Sequence, residues 1–306
     1  MNRKFFTTFK PFLSSKYSPD ERILLIEDNE IITDDSNISE IMNEYFTNIT
    51  DSLNIKQWPE PDTTDEFEND IDRAVNKYRN HPSILKINSV YGDHYNEFEF
   101  LHSTTDNVDS EISKLDSSKS SSGPLSTKIL KETSFIYKHY FTDCINSSID
   151  ECKFPNKLKK ADIRPCSKNK DEKLMKTNYR PLSVLPALSK VLEIIICKQL
   201  DSFIQNKFSP YLCGFCTHHA MLRLLEYWRY HLDKGEHVGT ILCDLSKAFD
   251  TLPHDLLIAK LDAYGVGKNA LLLINDYLSE RQQRCKIGSN YSTWRTIIKG
   301  VPQGSV

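Results

Sequence analysis

The stretch TILCDLSKAFDTL, residues 240–252, carries two carboxylates six positions apart. Asp244 follows HVGTILC, a short run rich in β-formers that reads as a buried strand, so the carboxylate falls where strand meets loop. A carboxylate there is costly to bury unless it is paired or bound to a cation. If Asp244 and Asp250 reach one pocket, they could share a hard divalent ion. On these residues alone a helix N-cap is the simpler reading of a single Asp. A second stretch, GVPQGS at 300–305, is a glycine-bracketed turn of the kind that leads into a helix, and glycine lets a backbone approach a ligand closely. A third, Lys153 to Arg180, holds ten Lys/Arg against three acids. Clustered cations suit a polyanion, although a solvated basic loop is an equal reading on charge alone. Cys213-x-x-Cys216, followed by His218 and His219, has redox-motif spacing. No convincing strand precedes it, and a zinc site needs four ligands where this cluster offers three.

Several elements must position these groups. Ile38, Ile41, Met42, Tyr45, Phe46, Ile49 and Leu53 recur at three- and four-residue steps, predicting a helix over 36–54 capped by Ser36 or Asn37. Residues 20–35 read as a charged loop around a short apolar run, 56–70 as an acidic, proline-broken linker, and 117–124 as a second flexible stretch. Further helices are expected over 127–149, 189–203, 219–232 and 269–278, with another starting at Pro253, where a missing N–H costs nothing. RCKIGSNYSTWRTIIK reads as two strands joined by a Gly-Ser-Asn turn. The fold class is α+β, with a mainly helical N-terminal region.

The 306 residues exceed one average domain, and 39% hydrophobic with 26% charged residues is an ordinary globular composition. No apolar run of about 18 residues exists, so no membrane span is implied. The N-terminus is basic and free of acids through residue 19, which leaves a targeting reading open, but its apolar runs are too broken for a signal-peptide core. Eight scattered cysteines show no disulfide framework and read as reduced intracellular thiols. The net charge of −3 hides a polarity. Residues 1–120 hold 12 Lys/Arg and 24 Asp/Glu, and residues 121–306 hold 27 and 18.

NYRPLSVLPALSKVLEIIICKQL (178–200), DLSKAFDTLPHDLLIAKLDAYGV (244–266), YLSERQQRCKIG (277–288) and GVPQGS (300–305) occur in that order at sensible spacing. At these residues the chain closely resembles the reverse transcriptases of non-LTR, LINE-like, Jockey-type retrotransposons. Segments 154–173, 209–215, 30–49 and 119–132 look like the same family. The resemblance implies a right-hand polymerase, with an N-terminal region over 1–117, fingers over 118–236 and a partial palm over 237–306. It implies attack of a primer 3′-hydroxyl on a deoxynucleotide, with two Mg2+ ions clamping the attacking and leaving oxygens. Asp244 matches the catalytic, metal-binding palm carboxylate, and the Leu245 backbone carbonyl the adjacent metal contact. Phe249 matches the bulky residue beneath the sugar. Arg180 and Lys168 match the cations that hold the triphosphate, where a guanidinium fork bonds two oxygens at once. Gln303 and Gly304 match the turn that touches nucleotide and template. Lys159, Lys160 and Arg164 are the expected nucleic-acid contacts. Asp250 and His254 are read as structural, Asp250 as a turn or helix cap.

The implied partners are an RNA template, a DNA primer and deoxynucleotides, with no membrane, in the nucleus or cytoplasm. The family's aromatic-x-Asp-Asp hairpin falls past Val306, so the expectation for this chain by itself is no polymerase activity, with a non-catalytic RNA-binding remnant as the alternative. Two further departures are Cys216 where the family has arginine and Leu125 where it has aspartate.

Overall fold

The computed structural model describes residues 23–49, 58–59, 67–92, 98–123, 125–168, 173–208, 217–243 and 247–304. Its first element corrects the expected loop. Leu25–Glu27 (β1) and Glu30–Ile32 (β2) form a hairpin, with Asp28 and Asn29 both at positive φ. That conformation suits a two-residue turn, and Asp and Asn tolerate it better than most side chains. Helix α1, Asp35–Thr47, starts and stops earlier than its periodicity predicts. Asp34 is the cap, its carboxylate accepting from the Asn37 N–H, so Ser36 and Asn37 lie inside the first turn.

A helical body follows. α2 (Asp70–Tyr78) and α3 (Pro82–Tyr91) pack on α9 (His254–Ala263), while α4 (Thr105–Lys114) lies on α6 (Ser134–Asp150) and α7 (Ala187–Ile204). With α10 (Lys268–Leu278) they close around Val108, Ile145, Val191, Ile195, Ile258 and Leu271. The single helix expected over 127–149 is two: α5 (Thr127–Glu132) and α6, divided at Thr133. The Thr133 hydroxyl donates to the Ile129 carbonyl, a local bond that competes with helix continuation. The stretch at 117–124 is tied down at Ser122, whose N–H donates to the Leu185 carbonyl.

The sheet has two unlike faces. β3 (Lys160–Ser167) pairs antiparallel with β4 (Tyr179–Val184) and parallel with β5 (Gln282–Ile287). β6 (Asn290–Tyr291) and β7 (Arg295–Thr296) both run antiparallel to β5. Side chains alternate across a strand. One face gathers Ala161, Ile163, Tyr179, Cys285 and Ile287 against Ile38, Met42 and Phe46 of α1. Burial there pushes the Cys285 thiol up to about 12, so it behaves as a core residue. The opposite face carries Lys160, Arg164, Arg180, Arg284 and Lys286.

The buried strand expected at 237–245 is absent over 237–243. That segment has no regular structure, and Ile241 and Leu242 are 90% and 86% exposed. A strand needs a neighbour to complete its ladder, and among the described residues none runs beside this one. The preceding helix α8 (Thr217–Asp233) is also exposed at Met221, Leu222, Leu225, Tyr227 and Tyr230. The six described cysteines are free, and no described helix is long and apolar enough to cross a membrane.

Candidate functional site

The glycine-bracketed turn is fastened on two sides. On one, the Gly300 N–H donates to the Leu252 carbonyl (3.0 Å) and the Val301 N–H to the Phe249 carbonyl (2.8 Å). The His254 ring nitrogen Nε2 lies 2.6 Å from the Gly300 carbonyl, which makes it the donor there. On the other side, the Ser183 N–H of β4 donates to the Gln303 carbonyl (2.8 Å). The turn thus staples the loop at 247–252 to the edge strand β4. Gly300 (φ 78°) is required twice over. Its φ is left-handed, and a Cβ there would sit 2.6 Å from the Phe249 carbonyl oxygen and 2.8 Å from the Asp250 backbone. Gly304 (φ 113°) faces the Ser183 carbonyl oxygen, which a Cβ would meet at 3.0 Å.

Asp250 closes a turn, as expected, its N–H donating to the Lys247 carbonyl (3.0 Å), but it is not a helix cap. The N-cap of α9 is Pro253, which makes no side-chain capping bond, while the Asp250 carboxylate accepts from the Gln303 amide at 2.9 Å. The two share a narrow cavity with Phe46, Pro181, Ser183 and Gln283. Burial raises the Asp250 carboxyl above its usual range, against the opposing pull of that hydrogen bond and of Lys247 and Lys168. Tyr45 of α1 is also raised, first by burial and then by the Asp250 charge. Helix α1 therefore reaches the site as well as covering the sheet.

Phe249 projects from the same loop, 53% exposed. Arg180 lies on β4 opposite Cys166, exposed on the basic face. Lys168, just past β3, donates to the Thr177 carbonyl (2.7 Å). Asp244 and Leu245, and with them the proposed metal contacts, lie outside the described residues, as do Cys213 and Cys216. Among the described residues, no three His, Cys, Asp or Glu side chains come together as a metal site. A carboxylate and a backbone carbonyl are nonetheless the hard oxygen donors that Mg2+ takes.

Lys159 is a correction. Its side chain is 2% exposed, and its ammonium lies 2.8 Å from Asp276 of α10, a charge pair without hydrogen-bond alignment. It is therefore not presented to a nucleic acid. The reason is parity: a strand starting at Lys160 turns Lys160 and Arg164 to one face and the residue before it inward. Sequence reasoning missed what joins Lys160 and Arg164 on that face. Arg284 is stacked between Tyr291 (3.9 Å) and Trp294 (4.5 Å), and its Nε donates to Asp162 (2.7 Å). Lys160 approaches the Trp294 ring at 5.1 Å, and Lys286 the Tyr291 ring at 4.9 Å. The alternation of Arg284 and Lys286 with Cys285 and Ile287 was the available signal.

Residues 159–306 match the family model described as reverse transcriptase (RNA-dependent DNA polymerase). The sheet and the fastened turn thus lie within a segment that matches reverse transcriptase domains. The curated relatives of that segment are RNA-directed DNA polymerases of transposons and mobile elements. The chain is 32% identical over 165 residues to the probable RNA-directed DNA polymerase from transposon BS of Drosophila melanogaster, covering 50% of this chain and 17% of that protein. It is 28% identical over 173 residues to the probable enzyme from transposon X-element of the same fly, covering 55% and 19%. It is 27% identical over 167 residues to the RNA-directed DNA polymerase from mobile element jockey, covering 53% and 18%. The chain spans less than a fifth of the length of these curated relatives.

Proposed function

We propose that residues 118–236 form the fingers and 237–306 the start of the palm of an RNA-templated DNA polymerase, behind an N-terminal region over 1–117. The observation that carries this reading is the turn at 300–304. It is fastened to β4, the strand of Arg180, and to the loop of Phe249. A deoxynucleoside triphosphate would lie across the outer edge of β4, with its phosphates toward Lys168 and, on the open face, Arg180, and its sugar toward Phe249, while Gln303 and Gly304 hold nucleotide and template. A guanidinium suits this role because its planar fork matches phosphate oxygens. Asp244 and the Leu245 carbonyl would hold Mg2+, which when bound supplies charge stabilisation to the transferring phosphoryl group. RNA template and DNA primer are the proposed macromolecular partners, inside the cell. Titration of a fluorescent deoxynucleoside triphosphate with Mg2+ tests the reading. Arg180→Ala and Gln303→Ala should each weaken binding, and wild-type affinity in both variants would refute the assignment.

The basic sheet face favours a second reading, in which the chain holds RNA without copying it. Cations with interleaved aromatic rings suit a single strand, through phosphate contacts and base stacking. Salt-dependent RNA binding that survives Asp244→Ala and falls when Arg164 and Arg284 are replaced would support it. Binding that does not change with salt would count against it.

A further inference from the structure

The Gln303 main chain is tethered, because its carbonyl accepts from the Ser183 N–H of β4 and the turn before it is bonded to the loop at 249–252. Its side chain is held separately, through the 2.9 Å bond from Nε2 to the Asp250 carboxylate. We propose that Asp250 is a positioning residue for the nucleotide site, holding the Gln303 carboxamide in one orientation with its oxygen turned away, free to accept from a bound nucleotide. This rests on the reading of Gln303 as a nucleotide contact.

The orientation follows from hydrogen-bond chemistry. An ionised carboxylate can only accept, so it selects the NH2 end of the amide and leaves the carbonyl oxygen for another donor. A bond to an ionised group is also stronger than a neutral one, so it resists amide rotation. The arrangement has a cost. Asp250 sits in a narrow cavity with Phe46 and Pro181, and burial is the largest influence on its carboxyl, raising it above the usual range. The charged groups facing it are Lys247 and Lys168, with Lys299 on the cavity wall, and the neutral but titratable Tyr45 of α1 lies nearby. A carboxylate kept where it is partly desolvated suggests a use other than stability.

The test uses the full 306-residue chain, a fluorescent deoxynucleoside triphosphate and Mg2+. Asp250→Ala should weaken binding roughly tenfold, the scale of a lost hydrogen bond to a charged group. Asp250→Asn, which can still accept from the Gln303 amide, should recover much of that loss. Affinity in the wild type should fall as acid protonates Asp250, and the Asn variant should lack that dependence. The double variant Asp250→Ala/Gln303→Ala should bind no more weakly than Gln303→Ala alone. Thermal unfolding of each variant separates positioning from folding, because Asp250→Asn is expected to unfold no earlier than wild type at pH 7. Unchanged affinity in Asp250→Ala, or additive losses in the double variant, would overturn the proposal while leaving the nucleotide reading intact. A wild-type chain that binds no nucleotide would overturn that reading, and this inference with it.

Discussion

The turn at 299–304 and the segment at 237–243 both border the proposed nucleotide site, yet the chain treats them differently. The turn is hydrogen-bonded to the loop at 249–252, to His254 and to β4, and it holds two glycines at positive φ in close contact with those neighbours. The segment has the stronger local signal, a β-rich apolar run, and lies open to solvent. The difference is in partners. A turn of this kind completes itself with residues 46 to 53 positions upstream and with one strand edge. An apolar strand is only a strand beside another.

Breaking the turn should therefore have the largest effect. Gly300→Val places a branched side chain at φ 78° against the Phe249 and Asp250 backbones. We expect a loss of about 3 kcal/mol or more, from left-handed strain combined with overpacking. Urea unfolding measures it, and a midpoint within error of wild type would show that the turn is not fastened as described. A smaller loss, about 1–2 kcal/mol, is expected for Lys159→Ala, which empties a buried position and unpairs Asp276, although that carboxylate is partly exposed and still accepts from the Phe154 N–H. RNA affinity in that variant, measured where it is folded, should be unchanged, because the ammonium never faced solvent.

Asp250→Asn sharpens the comparison from the other direction. Its carboxyl is raised in the folded protein, so relative to the unfolded chain it is stabilising below the unfolded value and loses that advantage as pH rises through the folded one. The Asn variant should thus be the more stable near pH 7. The gap should close as the pH falls through the raised value. A gap that widens in acid would mean that Lys247 and Lys168 outweigh burial.

How much of this was legible follows the same division. Elements made of local periodicity were readable: α7, α8 and α10 lie within two residues of where their sequences put them. The β5–β6 hairpin was readable from Gly288 and its neighbours. The hairpin at β1–β2 was not, because Asp-Asn is a weaker turn signal than Asn-Gly and its strands are three residues each. Around the turn, the sequence shows residue types but not their contacts. Nothing local in AFDTL says that Asp250 meets Gln303, 53 positions on. Lys159 and Lys160 are alike in sequence and opposite in burial, a difference that appears only once the strand's register is known.

The smallest expected stability change is the most discriminating. At Arg164, on the open face of β3, Arg164→Ala should leave stability within about 0.5 kcal/mol, as for most exposed sites. RNA binding should weaken by a similar factor across sequences, and the salt slope should fall by about one, as when a single phosphate contact is removed. Ile241→Ser with Leu242→Ser should likewise cost about 0.5 kcal/mol or less, because both side chains are already in water. A loss of several kcal/mol in that double variant would show that 237–243 packs in solution. The segment would then be governed by the rule that governs the turn, partners first and local signal second, with a partner drawn from outside the described residues.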